Sequence, residues 1–242
     1  MRRKRSFSYT PAYIIYKALR EGTAALFLVS GRLGAGKTTY SLLILHDLYG
    51  DWDTVLDHFY YNPQDAFDKF EEFTRTCLEK KRFGKLTWLR DRITAVVFDD
   101  AGIWFSKYWH AVDPKVVLLI NSIFDFIRSN VAGVIFTCPT EDILKELRLK
   151  SNYRVKVVKV RGHIREARGY FVDRTATGAA FVKKAFVDRF SVTDVPEWVL
   201  KEVTRRRFEA QLELYQAFKQ RGIRAALSEE LLTVEEEGGG SG

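Results

Sequence analysis

Apolar positions along this chain follow two alternating patterns. Short continuous runs read as buried strands, and positions repeating every three or four residues read as helices with one buried face. Tyr13, Ile14, Ile15, Ala18 and Leu19 follow Pro11 at helical spacing, with Thr10 placed to cap that helix. Residues 24–30 form a buried-strand run that stops at Gly31. Residues 37–49, apolar at Leu42, Leu43, Leu45 and Leu48 and closed by Gly50, predict a helix. Thr54–Tyr60 reads as a strand ended by Asn62-Pro63, and 64–81 as an amphipathic helix on Phe67, Phe70, Phe73 and Leu78. Ile93–Phe98 is a second apolar strand, finishing on Asp99. A helix over 113–129, a strand over Val131–Cys138 and a helix over 140–149 complete the series.

Strands alternating with helices predict an α/β sandwich of three layers around a mainly parallel sheet. After residue 150 the pattern changes. Val155, Val157, Val158 and Val160, then Gly169–Val172, then Ala180–Val182, separated by turn residues, predict a small antiparallel β addition. Pro196 opens a long helix over 197–220. The expected organisation is a basic N-terminal helix (1–22), a core (23–150), a basic β-rich extension (151–192) and a C-terminal helical region (193–233). Residues 238–242 read as an appended linker, outside the fold.

At 242 residues the chain is one full domain with an appendage, or two small ones. No apolar run reaches the length of about 18 residues that a membrane span needs, and no signal-peptide core follows the basic N-terminus. Two cysteines, Cys77 and Cys138, are too few for a disulfide framework or a structural zinc site, so a reducing cytoplasm is expected. The net charge of +8 points to a polyanionic partner, nucleic acid before a membrane surface, with simple solubility as the plain alternative. The charge is concentrated. Thirteen Lys and Arg against four Asp and Glu lie between Lys145 and Arg189.

Gly31-Arg32-Leu33-Gly34-Ala35-Gly36-Lys37-Thr38, followed by Thr39, matches G-x-x-x-x-G-K-[ST]. Phosphate oxygens need several N–H donors close together, which glycines allow by letting backbone approach, and the following helix adds its positive dipole end. Lys37 supplies a point charge for the β/γ-phosphates and the Thr38 hydroxyl a Mg²⁺ ligand. A strand before and a helix after meet the context this loop requires. Val96-Val97-Phe98-Asp99-Asp100 delivers two acids at a strand end, a location that in P-loop enzymes faces Mg²⁺, with Asp99 in the metal-holding position and Asp100 where many such ATPases carry a longer glutamate that polarises the attacking water. Capping a helix is the alternative for that pair. Val134–Thr137 ends another strand in a hydroxyl, placed to sense the γ-phosphate or simply to terminate the strand.

Arg128 and Arg148 are candidates to complete the site of a neighbouring subunit, against the default of solvated surface arginines. The aromatic segment 103–110, with Lys107 inside it, suits base stacking and phosphate contact, against the plainer alternative of a hydrophobic plug or subunit contact. Arg161, Arg165, Arg168, Lys183 and Lys184 are candidate DNA contacts. So are Lys201, Arg205, Arg206 and Arg207, unless they form only a solvated helix face. There is no [NT]-K-x-D element for guanine, no H-E-x-x-H and no G-x-S-x-G.

With the loop, Asp99-Asp100 and Thr137 in that order, the chain resembles ASCE-type P-loop ATPases, the group of AAA+ and RecA-like proteins. Phe98-Asp99-Asp100-Ala101-Gly102 is similar to a segment of helicase-loader and transposition-helper ATPases. Thr137-Cys138-Pro139-Thr140 with Ile143, Lys145, Leu147 and Arg148 is similar to DNA-pumping, zonula occludens toxin-like ATPases. The resemblance implies a sheet of order 5-1-4-3-2, ATP and Mg²⁺ as ligands, and assembly into a homo-oligomeric ring or filament. Chains of this kind are typical of archaeal viruses and plasmids. The function it implies is ATP-driven translocation, packaging or remodelling of DNA. The alternatives are a nucleotide-gated assembly factor or helicase loader with slow hydrolysis and a protein partner, and, more remotely, a small-molecule kinase.

Overall fold

The computed structural model describes residues 6–80, 91–103, 105, 114–140, 143, 145–174 and 180–221. Helix α1 (Thr10–Glu21) is closed by Gly22 at φ 71°, whose N–H donates to Ala18. Its N-cap is Tyr9, which makes no side-chain cap, so Thr10 does not cap the helix as expected. The Thr10 hydroxyl donates instead to Asp188 at 2.7 Å. Strand β1 (Ala25–Ser30) is buried throughout. Helix α2 (Lys37–Tyr49) follows the glycine loop and buries Leu42, Ile44 and Leu45 completely.

Thr54–Tyr60 is not one strand. The Asp51 carboxylate accepts from the Thr54 N–H at 2.7 Å and starts helix α3 (Trp52–Asp57), which leaves only Phe59–Tyr60 as β2. Here a cap outweighs the β-branched content that reads as strand. Asn62 caps α4 (Pro63–Glu79) in the same way, accepting from Gln64 N–H at 3.0 Å. Strand β3 (Ile93–Phe98), helix α5 (Pro114–Phe126), a 3-10 turn (Ile127–Ser129) and strand β4 (Val131–Cys138) follow. Helix α6 spans Lys145–Lys150 rather than 140–149. Strands β5 (Tyr153–Arg161), β6 (Ile164–Arg174) and β7 (Ala180–Ser191) precede helix α7 (Glu197–Arg221).

The strands form one sheet of order β2-β3-β4-β1-β5-β6-β7. β2 to β5 pair in parallel; β6 and β7 are antiparallel. The architecture is α/β. The sheet differs from a five-stranded one because β6 and β7 carry it on past β5, so the β addition is continuous with the sheet and not a separate layer. Alternate residues Leu26, Leu28, Val96, Phe98, Val134 and Phe136 face one side, where Ala66 and Phe70 of α4, Phe124 of α5 and Leu147 of α6 cover them. Phe98 and Phe136 stack at 5.6 Å between ring centroids, and Phe105 meets both edge-on. Each such fully buried side chain stabilises the fold by about 1.5–3 kcal/mol.

Helix α1 crosses the other side. It comes so close to β4 that a Cβ on Gly133 would stand 2.6 Å from the Ile15 side chain. Arg92, 3% exposed, donates to the carbonyls of Ala18 (3.0 Å), Thr23 and Arg128, tying the end of α1 to the 3-10 turn. Burial, with Arg128 beside it, brings the Arg92 guanidinium down to about 10.

The chain divides into two compact units, Met1–Val199 and Leu200–Gly242. In the second, Arg205 pairs with Glu202 at 2.6 Å and also with Glu209, while Arg206 pairs with Glu202 at 2.7 Å. Those two hydrogen bonds, Arg205 first, hold the Glu202 carboxyl down at about 2.

Candidate functional site

The parallel register sets the carboxyl ends of β1, β3 and β4 side by side, with Ser30 opposite Cys138 and Phe98 opposite Phe136. The glycine loop leaves β1 at this edge. Gly31 passes so close to β5 that a Cβ there would lie 2.6 Å from the Val157 carbonyl oxygen. Gly36, the N-cap of α2, has φ 99° and no side-chain cap, so the loop reaches the helix with its N–H groups unblocked by side chain. Arg32, Leu33 and Gly34 are exposed, whereas Ala35, Lys37 and Thr39 are buried. The Lys37 ammonium donates to the carbonyls of Gly31 at 3.0 Å and Arg32 at 3.3 Å, folding the loop round its own lysine.

Four residues from three elements converge here. The Thr38 hydroxyl donates to the Asp99 carboxylate at 3.0 Å. Thr137, fully buried, donates to the same carboxylate at 2.5 Å, and its hydroxyl accepts from the Asp100 N–H at 3.0 Å. Asp99 is 1% exposed, so its charge is matched by hydroxyl donors rather than by water. Asp100 takes the left-handed conformation, φ 51°, directly after the strand. Strain of this kind, of order 1–3 kcal/mol, gathers at functional sites. Chemically, the edge offers hard oxygen donors beside backbone N–H groups and an ammonium, the set that suits a hydrated divalent cation with a polyphosphate. Among the described residues no cluster of three or more His, Cys, Asp and Glu could hold a metal by protein ligands alone.

The other expected site residues are scattered. Arg128 is exposed and precedes β4, at the opposite edge of the sheet from Thr137, roughly 25 Å away for eight strand residues at about 3.3 Å each. A role for it therefore requires a second copy of the chain. Arg148 is half-buried in α6, its Nε without a hydrogen-bond partner among the described residues. Phe105 is 1% exposed inside the aromatic core, while Ile103 is exposed; residue 104 and residues 106–110 of that segment, Lys107 among them, lie outside the described residues. Cys138 is packed in the same core.

Of the basic positions, Arg161, Lys183, Lys184 and Lys201 are exposed, and Arg168 is exposed but paired with Glu166 at 2.7 Å. Arg205 and Arg206 are matched within α7, and Arg207 is half-buried. Arg165 does not belong with the surface cations. It is 7% exposed, because its β6 position turns it toward the glycine loop, where its stem stands 3.4 Å from the Cβ position of Gly36.

A second buried group shapes the loop's helix and left no sequence signal. Asp188 of β7 accepts from the Tyr40 hydroxyl at 2.6 Å, the Thr10 hydroxyl at 2.7 Å and the Thr10 N–H at 3.0 Å. Burial, then Asp188, pushes the Tyr40 phenol well above its usual range, so it stays a donor. No spacing rule connects positions 148 residues apart.

No protein-family model matches the chain. It is 27% identical over 199 residues to B-251, an uncharacterized protein of Sulfolobus spindle-shape virus 1, covering 74% of this chain and 72% of that one. It is 28% identical over 160 residues to ORF286, an uncharacterized protein of Acidianus two-tailed virus. That match covers 65% of this chain and spans about half (51%) of the Acidianus protein. Both relatives fit the archaeal-virus setting. Among solved structures, a KaiC-like protein, PH0186 of Pyrococcus horikoshii, aligns at 13% identity and TM-score 0.31, covering 74% of this chain and 99% of that one. No helix among the described residues is long and apolar enough to cross a membrane.

Proposed function

We propose that the protein is an oligomeric, Mg²⁺-dependent ATPase that acts on DNA. The observation that carries this reading is the contact of the Thr38 hydroxyl with the buried Asp99 carboxylate, at the mouth of a glycine loop that holds Lys37. Residues 31–39 would bind the phosphates through backbone N–H groups, and Lys37 would exchange its carbonyl partners for phosphate oxygens. Thr38 and Asp99 would hold Mg²⁺, which when bound offsets phosphate charge. Asp100 would orient a water, its backbone N–H donating to the Thr137 hydroxyl at 3.0 Å.

DNA would be held in the first unit by the exposed cations Arg161, Arg168, Lys183 and Lys184; in the second, taken by itself, Lys201 is the exposed candidate, and Arg205 and Arg206, already matched by carboxylates, contribute least. The test is ATP turnover by wild type and Lys37→Ala, with and without DNA over a salt series. Lys37-dependent turnover, stimulated by DNA and weakened by salt, supports the reading. Turnover that survives Lys37→Ala refutes the site, and binding indifferent to salt refutes the DNA contacts.

One observation favours a second reading, nucleotide-gated assembly or recruitment with slow hydrolysis. Asp100 is one methylene shorter than glutamate and sits on a left-handed backbone, which limits its reach to an attacking water. Light scattering with and without ATP separates the two: assembly on ATP binding, with turnover indifferent to DNA, selects the second.

A further inference from the structure

Arg165 is a buried cation with too few partners. It is 7% exposed, and its Nη1 donates to the carbonyls of Gly162 at 2.7 Å and Ile164 at 3.1 Å, both in its own hairpin turn. Among the described residues its Nε has no hydrogen-bond partner and no carboxylate pairs with it. A buried guanidinium without a counter-charge costs stability, so such a group calls for an anion. Its position says which. The pairing of Arg165 with Lys159 and Phe190 sets it at the end of the sheet where the glycine loop emerges, and its stem packs with Phe190 and Val192 against Gly36, the residue before Lys37.

We propose that Arg165 is a second cation of the nucleotide site, donating from within the same chain to a phosphate oxygen of a bound nucleoside triphosphate. This rests on residues 31–38 being a nucleotide loop. A planar guanidinium with a spare N–H suits this task, since it adds a directed, charge-assisted bond to the point charge of Lys37. It also explains why a buried position in a β-hairpin carries a charge that no described carboxylate compensates.

The test uses the full chain with Mg²⁺ and a fluorescent ATP analogue, comparing wild type, Lys37→Ala, Arg165→Met and Arg165→Lys, with thermal unfolding of each measured without nucleotide. The expected result is a ten- to hundredfold weaker affinity for Arg165→Met, with part of the loss recovered by Arg165→Lys. Without nucleotide, Arg165→Met should unfold no lower than wild type, because it removes an unpaired buried charge. Arg165→Met binding as tightly as wild type, while Lys37→Ala does not bind, overturns the inference and leaves the nucleotide site intact. So does unfolding of both Arg165 variants in the absence of nucleotide, which makes the residue a packing element. Equal binding by wild type and Lys37→Ala, or none by either, refutes instead the nucleotide loop.

Discussion

The Thr38 hydroxyl and the Asp99 carboxylate, 61 residues apart in sequence, meet at 3.0 Å where α2 begins and β3 ends. The parallel sheet brings them together, because β4 lies between β1 and β3 and aligns all three carboxyl ends. Thr137 at the end of β4 completes the link by donating to Asp99 and accepting from Asp100 N–H. Removing that hydroxyl should leave the sheet formed but Asp99 with one orienting donor fewer, Thr38 still in place. Thr137→Val is therefore expected to lower Mg²⁺-dependent nucleotide turnover by about 10–100-fold, the usual cost of losing a partner that orients a metal ligand. Mg²⁺ titration of turnover in both proteins checks this, and an unchanged Mg²⁺ dependence would show that Asp99 needs no such support.

Gly31 and Gly34 both permit the loop, for different physical reasons. Gly31 is hemmed in by backbone, with the Val157 carbonyl oxygen 2.6 Å from its Cβ position. Gly34 has open space but φ 71°. Gly31→Ala must push β5 away from β1 and should cost about 1–3 kcal/mol, as overpacking does. Gly34→Ala pays only conformational strain, about 1–2 kcal/mol. Thermal unfolding should rank Gly31→Ala below Gly34→Ala, with a difference of about 2–4 °C per kcal/mol for a chain of this size. The reverse order would mean that β5 yields easily.

Much of this site was legible because its residues lie at the ends of apolar strands, where hydrophobic runs stop and chemistry begins. The loop, Asp99, Asp100 and Thr137 each follow such a run. Long-range pairing was not legible. Arg165 reads as one cation among many in a basic stretch, and only the β6–β7 pairing reveals that it is buried beside Gly36. Thr54–Tyr60 misled for a local reason, since Asp51 starts a short helix just where β-branched and aromatic residues read as strand. The continuation of the sheet through β6 and β7 has no sequence signature either, because an antiparallel hairpin has the same alternation whether it joins a sheet or stands alone.

Tyr40 carries the loop's helix onto β7 through Asp188, which accepts three hydrogen bonds and is 7% exposed. Tyr40→Phe keeps the ring and its packing on Phe190, 5.0 Å between centroids, but leaves a buried carboxylate short of one donor. The expected cost is about 1–3 kcal/mol, the desolvation penalty of a group left unsatisfied. Denaturant unfolding of the two proteins measures it. Because Tyr40 stands two residues after Thr38, nucleotide affinity should fall as well; a variant that is destabilised yet binds normally would separate the Asp188 anchor from the loop.

His58 makes stability depend on pH near neutrality. Its ring stacks on Tyr49, 4.6 Å between centroids, and its Nδ1 lies 2.8 Å from the Thr54 carbonyl, which fixes the proton there and leaves Nε2 neutral. Burial, with Lys69 adding repulsion, holds its pKa below the ordinary 6.5 against the opposing pull of the Thr54 carbonyl. The unfolded chain thus takes up a proton near pH 6.5 that the folded chain resists. Stability from this group is present above that pH and is lost as pH falls from about 6.5 toward the folded value, at no more than about 1.4 kcal/mol per unit. Denaturant unfolding at pH 7.5, 6.5 and 5.5 should show the decline, and His58→Gln should flatten it. An equal decline in the variant would place the titrating group elsewhere.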